Sequence, residues 1–307
     1  MPSTALPLID TDVRLPGGHV TVLMGTKSGK YPSGNSMVVQ GSEAALIVDP
    51  SVDVHTRGGA PASIDRVLVS HAHEDHMAGV SCFPDADVHA HHQDVQGLHG
   101  LESLYEVYGM PRPAWDEWVP TLLADFHYTA RPDATGVEEG TTFDLGGTKV
   151  TVVHLPGHTR GHCGFLVEPD GVFFVADVDL TSFGPYYGDH WSDLEDFVSA
   201  IARCRTIEAK HYVTFHHKGV VDGRDSFLTQ LDTFESVIDT RELRLLDFLG
   251  EPRTMAEMVE FRIIYRPGTT GLVWIDHVEE TSIGMHLRRL ERSGQVAQVE
   301  PGRWRRA

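Results

Sequence analysis

Cysteine is scarce in this chain: Cys82, Cys163 and Cys204 are the only three in 307 residues. An odd, widely spaced set makes no disulfide framework, so a small cross-linked scaffold is excluded and a reducing compartment is expected. Long apolar runs are missing too. No stretch approaches the roughly 18 apolar residues of a membrane-spanning helix. The opening MPSTALPLIDTDVRLPGG has no basic start followed by an apolar run, which reads as no signal peptide. The expectation is a cytoplasmic protein with no membrane partner. Positive charge is short as well, with 25 Lys and Arg against 44 Asp and Glu and a formal charge of −19. That field repels phosphate backbones at long range and disfavours nucleic acid as a partner. What is plentiful is histidine, 19 residues, and apolar material at 41%, enough for one large domain and a small one.

The first two-thirds alternate short Val/Ile/Leu/Phe-rich runs with Gly, Pro and Asp. Strands are expected at 19-HVTVLMG-25, 36-SMVVQG-41, 44-AALIVDP-50, 65-DRVLVS-70, 86-ADVHAH-91, 148-TKVTVVHL-155, 164-GFLVEP-169, 172-VFFVAD-177 and 211-HYVTF-215. Several are continuous apolar runs, as suits strands covered on both faces. A helix is expected over 192-SDLEDFVSAIARC-204 with Ser192 as its cap and Leu194, Phe197, Val198 and Ile201 on one face. From about Ser226 the texture becomes helical: 226–249 with Phe227, Leu231, Phe234 and Ile238 in register, then 254-TMAEMVEFRI-263 and 279-EETSIGMHLRRLERSG-294. A short hairpin turning at Pro301-Gly302 follows. Three helices and a hairpin are the outline of a winged helix.

The chemistry concentrates in 69-VSHAHEDHMAG-79. In an extended run, residues two apart face the same side, so His71 and His73 can converge on one ion. They follow the strand DRVLVS, at the edge where open sheets place their ligands. Asp75 and His76 lie on the turn beyond, offset toward a second position, and two ions are the natural count. Further donors are needed to close two coordination spheres. His158 follows Pro-Gly at a strand end in 154-HLPGHTRGHCG-164, and His216 and His217 stand at another in 213-VTFHHKG-219. Asp177 closes the apolar run VFFVAD, a costly place for an acid that neither caps a turn nor binds a cation. His89, His91, His92 and Cys163 read as packing residues, and His162 as support for a ligand.

HAHEDH, PGHT, a strand-ending Asp and a His after a short strand together resemble the metallo-β-lactamase superfamily over roughly residues 18–228. The resemblance implies a four-layer αββα sandwich. It implies one metal on His71, His73 and His158, a second on Asp75, His76 and a last histidine, and Asp177 bridging both. That last histidine aligns best with His217, with His216 in reserve. Asp75 and Asp177 would be the catalytic carboxylates. The chain is then expected to comprise a catalytic domain over 1–228 and a small helical, winged-helix-like domain over 229–307.

Imidazole-rich N/O donors suit Zn²⁺, with Fe or Mn as alternatives. Two ions that share a hydroxide would supply a nucleophile at neutral pH for a carbonyl or phosphoryl centre. Asp177 resembles the corresponding acid of glyoxalase II-type thioesterases, lactonases and metal-dependent ribonucleases. The leading expectation is a dinuclear hydrolase of a small ester, lactone or thioester. Its aromatic insertion 102-ESLYEVYGMPRPAWDEWVP-120 would shape the cleft, and 182-SFGPYYGDHW-191 would place Tyr186, Tyr187 or His190 near the metals. A phosphodiesterase or ribonuclease of the same fold is the alternative. A regulator that binds nucleic acid through the C-terminal module is a third reading. From Thr254 onward eight arginines face seven carboxylates, which leaves that stretch near +1 and the remainder about −20, a poor footprint for duplex binding. The partner is then a small-molecule substrate, and a homo-oligomer is compatible with it.

Overall fold

The computed structural model describes residues 6–307. Its first sheet takes seven strands in chain order: β1 (Val13–Arg14), β2 (Val20–Leu23), β3 (Ser36–Gln40), β4 (Ala45–Val48), β5 (Arg66–Val69), β6 (Asp87–His91) and β7 (Thr135–Val137). The second takes six: β8 (Thr142–Asp144), β9 (Lys149–His154), β10 (Cys163–Glu168), β11 (Val172–Ala176), β12 (His211–Thr214) and β13 (Val220–Asp222). Strands β4, β5 and β6 run parallel, as do β11 and β12. Every strand expected from the sequence is present. The short edge strands β1, β7, β8 and β13 are additions, because two to three residues carry too little periodicity to read.

Alternation along these strands explains the layers. Leu46, Val48 and Leu68 point into an apolar layer between the sheets, where they meet Val150, Phe165, Phe174 and Val213. Ile47, Val67 and Val69 point the other way, toward helices α1 (Val52–Arg57), α2 (Leu101–Tyr108) and α3 (Arg112–Ala124). On the second sheet Phe173, Val175 and Tyr212 face α4 (Leu194–Cys204) and α5 (Arg224–Phe248). Helix, sheet, sheet, helix is the expected αββα sandwich. Each fully buried Val, Leu or Phe of these layers contributes roughly 1.5–3 kcal/mol against the entropy of ordering the chain.

Helix α4 starts one residue later than the sequence suggests. Asp193, not Ser192, is its cap and accepts from the amides of Glu195 and Asp196. Ser192 is taken by the site instead, its hydroxyl donating to the His158 carbonyl at 2.8 Å.

Helix α5 carries the chain unbroken through position 228. After it come β14 (Arg253–Thr254), α6 (Met255–Phe261), α7 (Ile275–Arg292), β15 (Val296–Glu300) and β16 (Arg303–Arg306). The last two form the hairpin at Pro301-Gly302, and β14 adds to it as a third strand. Thr254 and Glu257 cap α6 reciprocally. The buried faces of α5 and α7, including Phe227, Phe234, Ile283 and Leu287, join the apolar layer beneath the second sheet. Among the described residues no helix is long and apolar enough to cross a membrane.

Candidate metal centre

Five strand ends converge at one edge of the sandwich, and each delivers a polar residue. Asp49 follows β4, His71 to His76 follow β5, His158 follows β9, Asp177 follows β11 and His216 follows β12. Apolar strands fix where these turns emerge, so histidines far apart in sequence meet without any helix to carry them. Two local distortions aim them. The β11–β12 register slips between Phe174 and Ala176, and Ala176 adopts φ 46°, which turns Asp177 out of the strand. Gly157, at φ 125°, lets the Pro-Gly-His turn pass α4: a Cβ there would lie 2.1 Å from the Phe197 amide nitrogen.

His71, His73 and His158 form a first cluster. His71 Nε2 lies 2.9 Å from His73 Nδ1, and His158 Nε2 lies 3.0 Å from each of them. Three ring nitrogens aimed at one point cannot all hydrogen-bond to one another. Nitrogens bound to a tetrahedral ion at about 2.0–2.1 Å would stand about 3.3 Å apart, close to this spacing. The second cluster is Asp75, His76 and His216, with Asp75 Oδ2 3.2 Å from His216 Nε2. Asp177 spans the two: Oδ1 is 3.1 Å from His76 Nε2, and Oδ2 is 3.3 Å from His158 Nε2. Asp75 Oδ2, His76 Nε2 and Asp177 Oδ1 are buried without a hydrogen-bond partner. Orphaned, convergent N and O donors of this kind fit cations.

Six of the seven residues expected from the sequence therefore come together, and the seventh place goes to His216 rather than His217. His216 is buried, with Nδ1 2.9 Å from the Gly29 carbonyl, which leaves Nε2 toward the cluster. His217 takes a left-handed φ of 58° and its side chain turns out to the exposed rim. The chain reverses immediately after Phe215, so the first histidine points inward and the second does not.

Charge is as telling as distance. Burial alone would lower His76, but Asp177, Asp75 and Asp49 around it raise it well above the ordinary histidine range. Burial likewise lowers His216, yet Asp177 and Asp75 carry it up to about 9. Asp177 itself, despite burial, is held well below the carboxylate range by His76, His216 and His158. In the first cluster burial brings His158 down to about 4 and His71 well below the ordinary value. The second cluster thus carries excess carboxylate; in the first, His71 and His158 offer neutral imidazole lone pairs, while Asp189 raises His73 against its burial.

The outer contacts include residues that the sequence reading misses. Asp49 accepts from the Ser70 amide at 2.6 Å, the Ser70 hydroxyl at 2.6 Å and His76 Nδ1 at 2.8 Å. Asp94 accepts from Ala72 N, Thr159 Oγ1 and Gly161 N, tying the His71–His73 turn to the His158 turn. Asp49 closes the apolar run AALIVD, the signal that identifies Asp177, whereas Asp94 lies three residues past β6 and carries no such signal. His162 supports Asp177, not His158: its Nε2 accepts from the Asp177 amide at 3.1 Å. Cys163 is buried packing, and His91 pairs face to face with His154 away from the clusters.

The clusters open into a cavity of about 600 Å³. Tyr108, Met110 and Trp118 of the expected insertion line it, whereas Trp115 is core. Of the loop 182–191, Tyr186 lines the cavity and its carbonyl stands 2.9 Å from His158 Nδ1. Tyr187 is buried against Arg241 and His286, and His190 is exposed. Ile264, Tyr265, Leu272 and Trp274, between α6 and α7, complete the wall.

Residues 30–217, more than half of the chain, match the family model described as the metallo-beta-lactamase superfamily. The acyl-coenzyme A thioesterase MBLAC2 of Bos taurus is 24% identical over 204 residues, 56% of this chain and 68% of that protein. A Mycobacterium tuberculosis protein named as a probable metallo-hydrolase is 29% identical over 111 residues, 36% of this chain and only 35% of its own. Among solved structures, a metallo-beta-lactamase family protein from Thermus thermophilus superposes with a TM-score of 0.70 at 19% identity, over 94% of this chain and 99% of that one. A beta-lactamase domain protein from Burkholderia ambifaria gives 0.68 at 18%, over 99% and 95%. At such identity these two structures show a common fold.

Proposed function

Because this chain belongs to the metallo-β-lactamase superfamily and is a metal-dependent hydrolase of that family, we propose that it cleaves the carbonyl of a small ester, lactone or thioester at a dinuclear site. Thioesters are the favoured members, by similarity to the acyl-coenzyme A thioesterase. The observation that carries the reading is the pairing of two donor clusters with an aromatic wall in one cavity. We assign His71, His73 and His158 to one cation and Asp75, His76 and His216 to the other, with Asp177 between them. The N/O donor set favours Zn²⁺. Bound there, two cations would bring water's pKa to near neutrality and polarise the carbonyl.

The chain's own groups do the rest. Asp49 and the Gly29 carbonyl hold His76 and His216 with Nε2 free, and Tyr186 does the same for His158 through its carbonyl. Asp177 is held in its ionised form between the two clusters by His76, His216 and His158, where its charge would keep both cations together. Tyr108, Trp118, Ile264 and Trp274 offer an apolar bed for an acyl group and exclude water from it. The segment after α5 we read as a winged-helix-like module given over to this wall. Two arginines of α7 are already paired: Arg289 with Glu242 at 3.0 Å and with Glu195, and Arg292 with Glu195. The pairing lowers the positive charge that this helix would offer a nucleic acid.

The test is thiol release from a series of acyl thioesters by the metal-loaded chain. The efficiency kcat/KM is expected to climb with acyl length until the wall is filled. Failure to turn over any thioester, ester or lactone would sink the proposal.

A further inference from the structure

Most positive side chains of this acidic protein are neutralised by a carboxylate or hold a backbone carbonyl. Two that line the cavity are not. Lys30 and Arg266 are both exposed, and among the described residues neither has a carboxylate within ion-pair distance. The carboxylates lower in the same cavity are engaged. Tyr31 and Tyr108 hydroxyls donate to Glu74, and Asp189 Oδ2 stands 3.0 Å from His73 Nε2.

Both cations ride on backbone that buried groups hold in place. Lys30 sits between Gly29, whose carbonyl faces His216 Nδ1 at 2.9 Å, and Tyr31, whose hydroxyl donates to Glu74 at 2.8 Å. Arg266 follows a clamp. Glu279, fully buried on α7, accepts from the Ile263 amide at 2.9 Å, from Ile264 at 3.2 Å and from Tyr265 at 2.7 Å. Arg244 adds a second hold, donating to the Arg262 and Ile263 carbonyls at 2.7 and 3.3 Å. A carboxylate buried for three consecutive amides is costly unless that backbone must be held. The backbone it holds runs straight into the cavity mouth.

We propose that Lys30 and Arg266, the latter positioned through Glu279, form an anion-binding rim that receives a phosphate on the leaving group of a thioester whose acyl chain lies on the aromatic wall. This rests on the carbonyl-hydrolase reading and names its substrate class: acyl esters of a phosphorylated thiol. The overall charge of −19 does not oppose it at close range. Distant surface charges are screened beyond about 8 Å at physiological salt, so the two local cations govern the mouth. The apolar wall has no partner for charge, which assigns the anion to the leaving group and not to the acyl chain.

Calorimetric titration of the full, metal-loaded chain with coenzyme A, and with pantetheine as the uncharged counterpart carrying the same thiol, tests it without turnover. Coenzyme A is expected to bind at least about tenfold more tightly than pantetheine, a gap that narrows as salt is raised. Lys30→Glu and Arg266→Glu should each weaken coenzyme A by about fivefold, toward the pantetheine level. Glu279→Gln should weaken it as well, yet add little on top of Arg266→Glu if it acts through that residue. Equal binding of the two ligands, or charge reversals that leave coenzyme A affinity intact, would overturn the rim. A chain that binds coenzyme A in this way but hydrolyses no carbonyl keeps the rim and loses the hydrolase reading, so the two failures are distinguishable.

Discussion

Asp49→Asn separates the two candidate centres. In the wild type Oδ1 accepts from the Ser70 amide, while Oδ2 accepts from the Ser70 hydroxyl and from His76 Nδ1, 2.8 Å away. The asparagine keeps one acceptor for the Ser70 amide but turns an NH₂ toward His76. Donor then faces donor, so His76 must shift its proton to Nε2 to accept at Nδ1. Nε2 is the atom that faces Asp177 Oδ1 at 3.1 Å and the second cluster. A proton there removes the lone pair a cation needs. Loss of such a supporting partner costs on the order of 10–100-fold in metal affinity. The first cluster keeps His71, His73 and His158, and Ser70 Oγ remains 3.0 Å from His71 Nδ1. Competition against a chromophoric chelator should therefore show one ion weakened by about 10–100-fold and the other held nearly as before. The fold should lose roughly 1–3 kcal/mol from the broken buried network. Two ions bound with wild-type affinity would refute the tautomer argument and the assignment of His76 with it.

Three other outcomes follow from the same geometry. His216→Ala should lose metal from the second centre while His217→Ala keeps both ions, and the reverse pattern in metal analysis would restore the alignment-based choice. Chelation should lower thermal stability reversibly: at a metal concentration of 100 times Kd the ion contributes about 2.7 kcal/mol, or roughly 4 °C in a chain of this size, and an unchanged Tm would contradict resident cations. Arg241→Ala should cost about 3 kcal/mol in chemical denaturation and lower activity, because this buried guanidinium donates to the Pro185 and Phe183 carbonyls and to the Tyr187 hydroxyl at 2.5, 2.7 and 2.8 Å, behind the carbonyl that faces His158. Wild-type stability in that variant would mean that the loop 183–187 is held by other contacts.

The sandwich is legible because its strands are long apolar runs and its donors sit at their ends, a pattern local enough to read without neighbours. Asp177 can be picked out on that ground alone. Asp49 carries the same signal and Asp94, three residues past β6, does not, and nothing in the sequence says which strand ends share an edge. Strand pairing supplies that. His216 and His217 are inseparable by spacing, since the choice depends on a left-handed residue after Phe215, and on Gly29, 187 residues from His216, being within reach. The cap of α4 falls to Asp193 for a similar reason: Ser192 is needed by a carbonyl 34 residues away. The aromatic wall is half legible. Tyr108 and Trp118 stand out in the insertion, whereas Ile264 reaches the cavity on backbone that Glu279 holds and Trp274 from the start of α7, neither of which spacing reveals.

The central claim is that one carboxylate, Asp177, joins two cations in a single hydrolytic centre. The most direct measurement takes wild type and Asp177→Ala through the same preparation and records bound metal and turnover of a thioester, a lactone, a β-lactam and a phosphodiester. Two ions in the wild type with turnover of a carbonyl substrate, and loss of metal and of at least most activity in Asp177→Ala, is the result expected. Undiminished metal and activity in the variant, or turnover of the phosphodiester alone, would contradict it.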